Sequence, residues 1–201
     1  MTNSASGDIK VILLGESGVG KTNLINVTVG QDFNENEQTT FSSSFVQKIF
    51  TIGKKKYTVQ LWDTIGQEKY RHLAKLFFKD SKIVVLVYDK TVKKSFDELA
   101  YWAEQIKQFL GNEIVIGVAG NKEDLDDTGD GVKEDEAKAF AEKIGAKFKL
   151  VSAKINGPGF VTFLQDLLEE YLRKNGEIKG SGNIVLDKGQ TKKQDGGKGC
   201  C

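Results

Sequence analysis

Apolar and polar positions along this chain fall into two alternating patterns. Val11-Ile12-Leu13-Leu14, Lys82–Asp89 (KIVVLVYD) and Glu113–Gly120 (EIVIGVAG) are short, nearly unbroken apolar runs, the mark of strands buried on both faces. Lys147–Val151 (KFKLV) is a shorter run of the same kind. Phe45–Phe50 and Lys56–Asp63 are β-branched or alternating, and Gly53-Lys54-Lys55 between them predicts a hairpin. The intervening segments have helical spacing. Thr22 to Gly30 follows the first strand, and Ser95-Phe96-Asp97-Glu98 reads as a capping box that starts a helix with Leu99, Trp102, Ile106 and Leu110 on one face. Glu134–Ile144 is amphipathic, and Phe160, Phe163, Leu164, Leu167, Leu168 and Tyr171 follow the sole proline, Pro158, at helical spacing. Six strands alternating with helices predict an α/β fold: one domain over residues 8–174, with an open, mostly parallel six-stranded sheet covered by helices on both faces. In such sheets ligands bind at the C-terminal ends of the strands.

Composition narrows the class. With 201 residues, 39% of them hydrophobic, the chain can bury one substantial core, and a net charge of +1 gives no reason to expect a nucleic-acid partner. No run of 18 apolar residues predicts a membrane span, and the short polar start 1–7 has no signal-like core, so the chain reads as cytosolic. Its two cysteines, Cys200 and Cys201, close a segment from Gly176 that carries seven glycines and five lysines, so 175–201 is expected to be a disordered tether.

GESGVGKT, residues 15 to 22, lies between the first strand and the first helix and fits the spacing of a phosphate-binding loop in the context that motif needs. Glycines at Gly15, Gly18 and Gly20 free the backbone so that consecutive N–H groups can turn inward on phosphate oxygens. Ser17, Val19 and Asn23 complete the candidate contacts, Lys21 supplies a charge at the β/γ positions, and Thr22 supplies a hydroxyl for Mg²⁺. The loop alone does not say which nucleotide.

Two later strand tips do. Asp63 ends the third strand, where a carboxylate suits the surroundings of a magnesium ion, and Gly66 three residues on would let its N–H approach a γ-phosphate. Asn121-Lys122-Glu123-Asp124 follows the fifth strand and Ser152-Ala153-Lys154 the sixth. The Asp124 carboxylate can accept from guanine N1–H and the exocyclic amine, a donor pair adenine lacks, while Lys122 can lie along the ring and the Ala153 N–H can donate to O6.

These motifs, in this order, resemble the Ras superfamily of small GTPases and, through Phe41-Ser42-Ser43-Ser44-Phe45, Leu86-Val87-Tyr88-Asp89-Lys90-Thr91 and the terminal Cys-Cys, the Rab family within it. The resemblance implies a P-loop G domain binding GTP and GDP with Mg²⁺, and metal ligation by Thr22, Thr40 and Asp63. It also implies a base-covering role for Phe33, a water-orienting role for Gln67, and an effector-facing triad of Phe45, Trp62 and Phe77. Further implications are prenylation of Cys200 and Cys201, residence on the cytoplasmic face of an intracellular membrane with a cytosolic pool, and partners comprising an exchange factor, a GTPase-activating protein, a GDP-dissociation inhibitor and effectors. The chain departs from the family pattern at Thr40-Phe41-Ser42, at Ile65, where alanine is usual, and at Lys79-Asp80-Ser81, where a glycine is usual.

Three weaker signals carry no function. Residues 126–131 imitate the start of a calcium loop, but loop position twelve falls on Ala137. Asn26-Val27-Thr28 fits a glycosylation acceptor inside a predicted helix, and His72 has no base-and-nucleophile pair beside it. A binding module that holds GTP without appreciable hydrolysis stays open as an alternative, as does a P-loop kinase, although no Arg-rich lid is visible.

Overall fold

The computed structural model describes residues 8–37, 40, 44–64, 77–111, 113–125, 129 and 131–178. They form β1 (Ile9–Leu14), α1 (Lys21–Thr28), β2 (Ser44–Ile52), β3 (Lys55–Asp63), β4 (Ser81–Asp89), α2 (Lys93–Asp97), α3 (Leu99–Leu110), β5 (Val115–Asn121), α4 (Glu134–Lys143), β6 (Lys147–Leu150) and α5 (Gly157–Lys174). The six strands make one sheet in the order β2-β3-β1-β4-β5-β6, with β2 antiparallel to β3 and every other pairing parallel. The expected α/β sheet is therefore present.

The apolar runs explain why the sheet is covered twice. In β1, Ile9, Val11 and Leu13 join a core under α1 and α5, while Ile12 and Leu14 join a second core under α2, α3 and α4. β4 divides the same way, with Ile83, Val85 and Val87 on one face and Val84, Leu86 and Tyr88 on the other. β3 buries Tyr57, Val59 and Leu61 but leaves Thr58, Gln60 and Trp62 partly exposed, so its pattern alternates. Parallel strands between helices need two apolar faces, and a strand near the sheet edge needs one.

Local chemistry sets the element ends. Pro158 stands in the first turn of α5, and the Asn156 side chain accepts from the Gly159 N–H at 3.0 Å. The hairpin is tighter than expected: Ile52 pairs with Lys55, leaving Gly53-Lys54 as the turn, with Gly53 at φ 61°. The expected capping box is not formed. Ser95 lies inside α2, where its Oγ accepts from the Asp89 N–H at 3.0 Å and donates to the Val92 carbonyl at 2.7 Å. Asp80 adopts φ 62° at the point where a glycine is usual, a conformation an aspartate tolerates better than most residues. Beyond α5, Ile178 packs against the first core.

Candidate functional site

The C-terminal ends of the parallel strands open onto one cleft of about 290 Å³. It is lined by Ser17, Gly18, Gly20, Lys21, Thr22, Asn23, Phe33, Glu35, Glu37, Thr40, Thr64, Asn121, Lys122, Asp124, Leu125, Ala153 and Lys154. The loop from β1 to α1 forms its floor. Gly15 and Gly20 have φ of 151° and 94°, and a Cβ on them would come within 2.1 Å of the Val87 carbonyl oxygen and 2.3 Å of Asn121 Nδ2. Neither position admits a side chain without displacement. The Lys21 ammonium donates to the Gly15 and Glu16 carbonyls at 2.9 and 2.8 Å. Burial pushes its pKa down to about 8, against the opposing pull of Asp63 and Glu16.

Beside it three oxygen groups converge. The Thr22 hydroxyl donates to Asp63 Oδ2 at 2.7 Å, the Thr40 hydroxyl does so at 3.2 Å, and the two hydroxyls lie 3.0 Å apart. Asp63 Oδ1 is buried and unpaired, and burial pushes this carboxyl's pKa up despite the bonds from Thr22 and the charge of Lys21. A small hard cation takes oxygen ligands, so this donor set fits Mg²⁺. No cluster of three His, Cys, Asp or Glu side chains stands among the described residues, so such an ion would draw its remaining ligands from phosphate and water.

The other end of the cleft is a stitched loop system. Asn121, 2% exposed, donates from Nδ2 to the Val19 carbonyl at 2.8 Å and accepts at Oδ1 from the Ala153 N–H at 3.2 Å. One side chain thus ties the phosphate loop to the segment after β6. Ser152 Oγ donates to Asp124 Oδ1 and accepts from the Lys154 and Ile155 N–H groups, both at 3.1 Å. Lys122, at φ 65°, places its ammonium 2.6 Å from Asp89 Oδ2. Lys154 lies over the Phe33 ring, 5.9 Å from its centroid, and 3.4 Å from Glu35. Asn23 exchanges two hydrogen bonds of 2.9 Å with the Asn34 backbone, which fixes the segment carrying Phe33.

Thirteen of the expected site residues therefore line the cleft, while Gly15, Val19, Asp63 and Ser152 stand behind that lining and shape it. Gly66 and Gln67, like Ile65, Phe41, Ser42, Cys200 and Cys201, lie outside the described residues. Phe45 and Trp62 stack at 4.8 Å with Phe45 45% exposed, whereas Phe77 is half-buried. Two further residues shape the site without a role expected from sequence: Asp89, the partner of Lys122, and Thr64, whose hydroxyl donates to the Leu13 carbonyl. Asp89 ends β4 as Asp63 ends β3, so its place at a strand tip was a signal available in the sequence.

Comparison with known proteins gives matches over most of the chain. A sequence model of the Ras family matches residues 10–171. The chain is 36% identical over 206 aligned positions to the Ras-related protein Rab-21 of Rattus norvegicus, covering 96% of this chain and 91% of that protein. The Homo sapiens Rab-21 gives 36% with 96% and 90% coverage, and the Mus musculus Ras-related protein Rab-31 gives 38% over 147 positions, with 73% and 75%.

Proposed function

Because this chain belongs to the Ras family, as a Rab-like small GTPase of membrane trafficking that binds guanine nucleotide and hydrolyses GTP, we propose that the cleft described above is where it does so. The observation that carries the assignment is the buried, unpaired Asp63 Oδ1 beside the hydroxyls of Thr22 and Thr40, at the foot of a loop in which Gly15 and Gly20 leave no room for side chains.

Gly15 to Asn23 cradle the phosphates with backbone N–H groups, and Lys21, drawn off the Gly15 and Glu16 carbonyls, neutralises the β/γ oxygens. Thr22, Thr40 and Asp63 would hold Mg²⁺, which would supply neutralisation of phosphate charge when bound. Asp124 reads guanine N1–H and the exocyclic amine, Lys122 runs along the ring, Phe33 and Lys154 cover it, and the Ala153 N–H turns from Asn121 toward O6. Gln67 orients the attacking water and Gly66 reads the γ-phosphate. When that phosphate leaves, Thr40 and Gly66 lose their hold and both loops relax, which converts hydrolysis into a change of surface.

Neither 15–22 nor 33–44 contains an arginine to act as an internal finger, and such a group supplied by a partner is worth ~10³–10⁵ in rate. Intrinsic turnover is therefore slow, and a GTPase-activating protein resets the switch. An exchange factor and a GDP-dissociation inhibitor act on the GDP form, and effectors read Phe45, Trp62 and Phe77 in the GTP form. Among the described residues no helix is long and apolar enough to cross a membrane. Membrane attachment rests on lipid carried by Cys200 and Cys201, since one chain binds marginally at about 0.8 kcal/mol per CH₂ and two anchor stably.

Single-turnover hydrolysis of Mg²⁺-GTP by the parent and by Gln67→Leu tests the catalytic assignment. Slow phosphate release from the parent and at least about tenfold slower release from the variant are expected, at nearly equal GTP affinity. Equal rates would remove Gln67 from the reaction.

A further inference from the structure

Asp89 occupies the tip of β4, between the tips that carry Asp63 and Asn121, and none of the steps above uses it. Its side chain is 8% exposed, and its two oxygens face different ways. Oδ1 accepts from the Thr91 N–H and hydroxyl at 2.9 and 2.8 Å, while Oδ2 meets the Lys122 ammonium at 2.6 Å. The frame under it is tied on three sides. The Asp89 N–H is held by Ser95 Oγ at 3.0 Å, the Lys90 N–H by the Asn121 carbonyl at 3.0 Å, and the Lys90 carbonyl by the Val132 N–H at 2.9 Å. Lys122 reaches this carboxylate from a left-handed backbone, φ 65°, which costs a residue with a Cβ about 1–2 kcal/mol. A strained backbone and a short charge-assisted bond at one residue mean that its side chain is held in one place.

We propose that Asp89 is a positioning residue for guanine recognition: its Oδ2 holds the Lys122 ammonium so that the lysine stem lies beside the base, and it thereby slows nucleotide release. The inference rests on the reading that this end of the cleft takes the base. It adds a specific division of labour, with Oδ1 closing the Asp89–Thr91 turn and Oδ2 serving the ligand through Lys122.

Asp89→Asn separates the two roles. The amide oxygen still accepts both Thr91 bonds, and the amide nitrogen replaces the carboxylate that faced Lys122. Release of fluorescent GDP and GTP at matched Mg²⁺ is followed in the parent, Asp89→Asn, Lys122→Met and the double variant. Asp89→Asn is expected to release both nucleotides about tenfold faster, because Lys122 stands at the base end and not at the γ-phosphate. The double variant is expected to release no faster than Lys122→Met, because the carboxylate acts through that ammonium. Release at the parent rate, or an effect that multiplies with that of Lys122→Met, overturns the proposal.

A second readout needs no bound nucleotide. Acetylation of Lys122 by acetic anhydride in nucleotide-stripped full chain, read by peptide mass spectrometry, is expected to rise about threefold or more in Asp89→Asn, since the carboxylate that holds the Lys122 nitrogen at 2.6 Å no longer keeps it from the reagent. Unchanged reactivity overturns the proposal as well. A parent that retains no GDP would instead sink the guanine reading, and the acetylation result would still decide whether Asp89 holds Lys122.

Discussion

Replacing Gly20 by alanine tests the cleft at its tightest point. The added Cβ would stand 2.3 Å from Asn121 Nδ2, about 1 Å inside ordinary contact, so Asn121 must move. Asn121 is the clamp between the phosphate loop and the segment after β6, through its 2.8 Å bond to the Val19 carbonyl and its 3.2 Å bond from the Ala153 N–H. Losing two buried hydrogen bonds costs about 1–3 kcal/mol, and forcing alanine into φ 94° adds about 1–2 kcal/mol. The total, about 2–5 kcal/mol, corresponds to a loss of GDP affinity on the order of 10²- to 10³-fold if most of it falls on the loops that hold the ligand. Gly18 provides the comparison. At φ 79° it has nothing within 4 Å of an added Cβ, so Gly18→Ala carries the backbone term alone, roughly five- to thirtyfold. Equilibrium displacement of fluorescent GDP at fixed Mg²⁺ measures both, and thermal denaturation of the same samples separates lost binding from lost folding. Affinities for the two variants within about threefold of each other would refute the clamp argument.

Three further outcomes follow from named contacts. Lys21, with its pKa lowered to about 8 by burial, binds fewer protons in the folded nucleotide-free chain than in the unfolded one between about pH 8 and 10.5, so stability rises with pH across that window. Phosphate favours the ammonium, so GDP binding should take up about half a proton at pH 8 and almost none at pH 6.5; calorimetric heats at pH 8 that do not differ between buffers of different ionisation enthalpy would contradict this. Thr22→Asn removes a hydroxyl 2.7 Å from Asp63 Oδ2 and should weaken Mg²⁺-GTP more than GDP, because the metal matters most when the γ-phosphate shares it; competition binding with equal losses would count against that role. Asp80→Gly relieves a non-glycine residue at φ 62° and should raise stability by up to about 1 kcal/mol, a gain of roughly 2–4 °C in Tm, which a lowered Tm would exclude.

The sheet was legible because each buried run had to satisfy two cores at once. Ile9, Val11 and Leu13 against Ile12 and Leu14 is the division that a strand between two helical layers demands. The glycine loop was legible because its chemistry is local, carried by spacing within eight residues. Local pattern misled at Ser95-Phe96-Asp97-Glu98, which has the letters of a capping box. The chain has already turned into α2 at Val92, and Ser95 Oγ is engaged by the end of β4 instead. The Asn121–Val19 and Asp89–Lys122 links were not readable in advance, since each joins residues at the end of, or in the loop after, two different strands. Their partners become neighbours only once β1, β4 and β5 are known to lie side by side.

Guanine recognition in this cleft is proposed to rest on Asp124, whose carboxylate accepts from Ser152 Oγ beside the clamp made by Asn121. Competition of GDP and xanthosine diphosphate for the parent and for Asp124→Asn tests it most directly. The parent should prefer GDP strongly, and the variant should lose GDP affinity while gaining xanthosine diphosphate, because an amide mismatches one of guanine's two donors and matches the carbonyl that replaces the amine in xanthine. A variant that keeps the parent's order of preference, with no gain for xanthosine diphosphate, would show that Asp124 does not read the base.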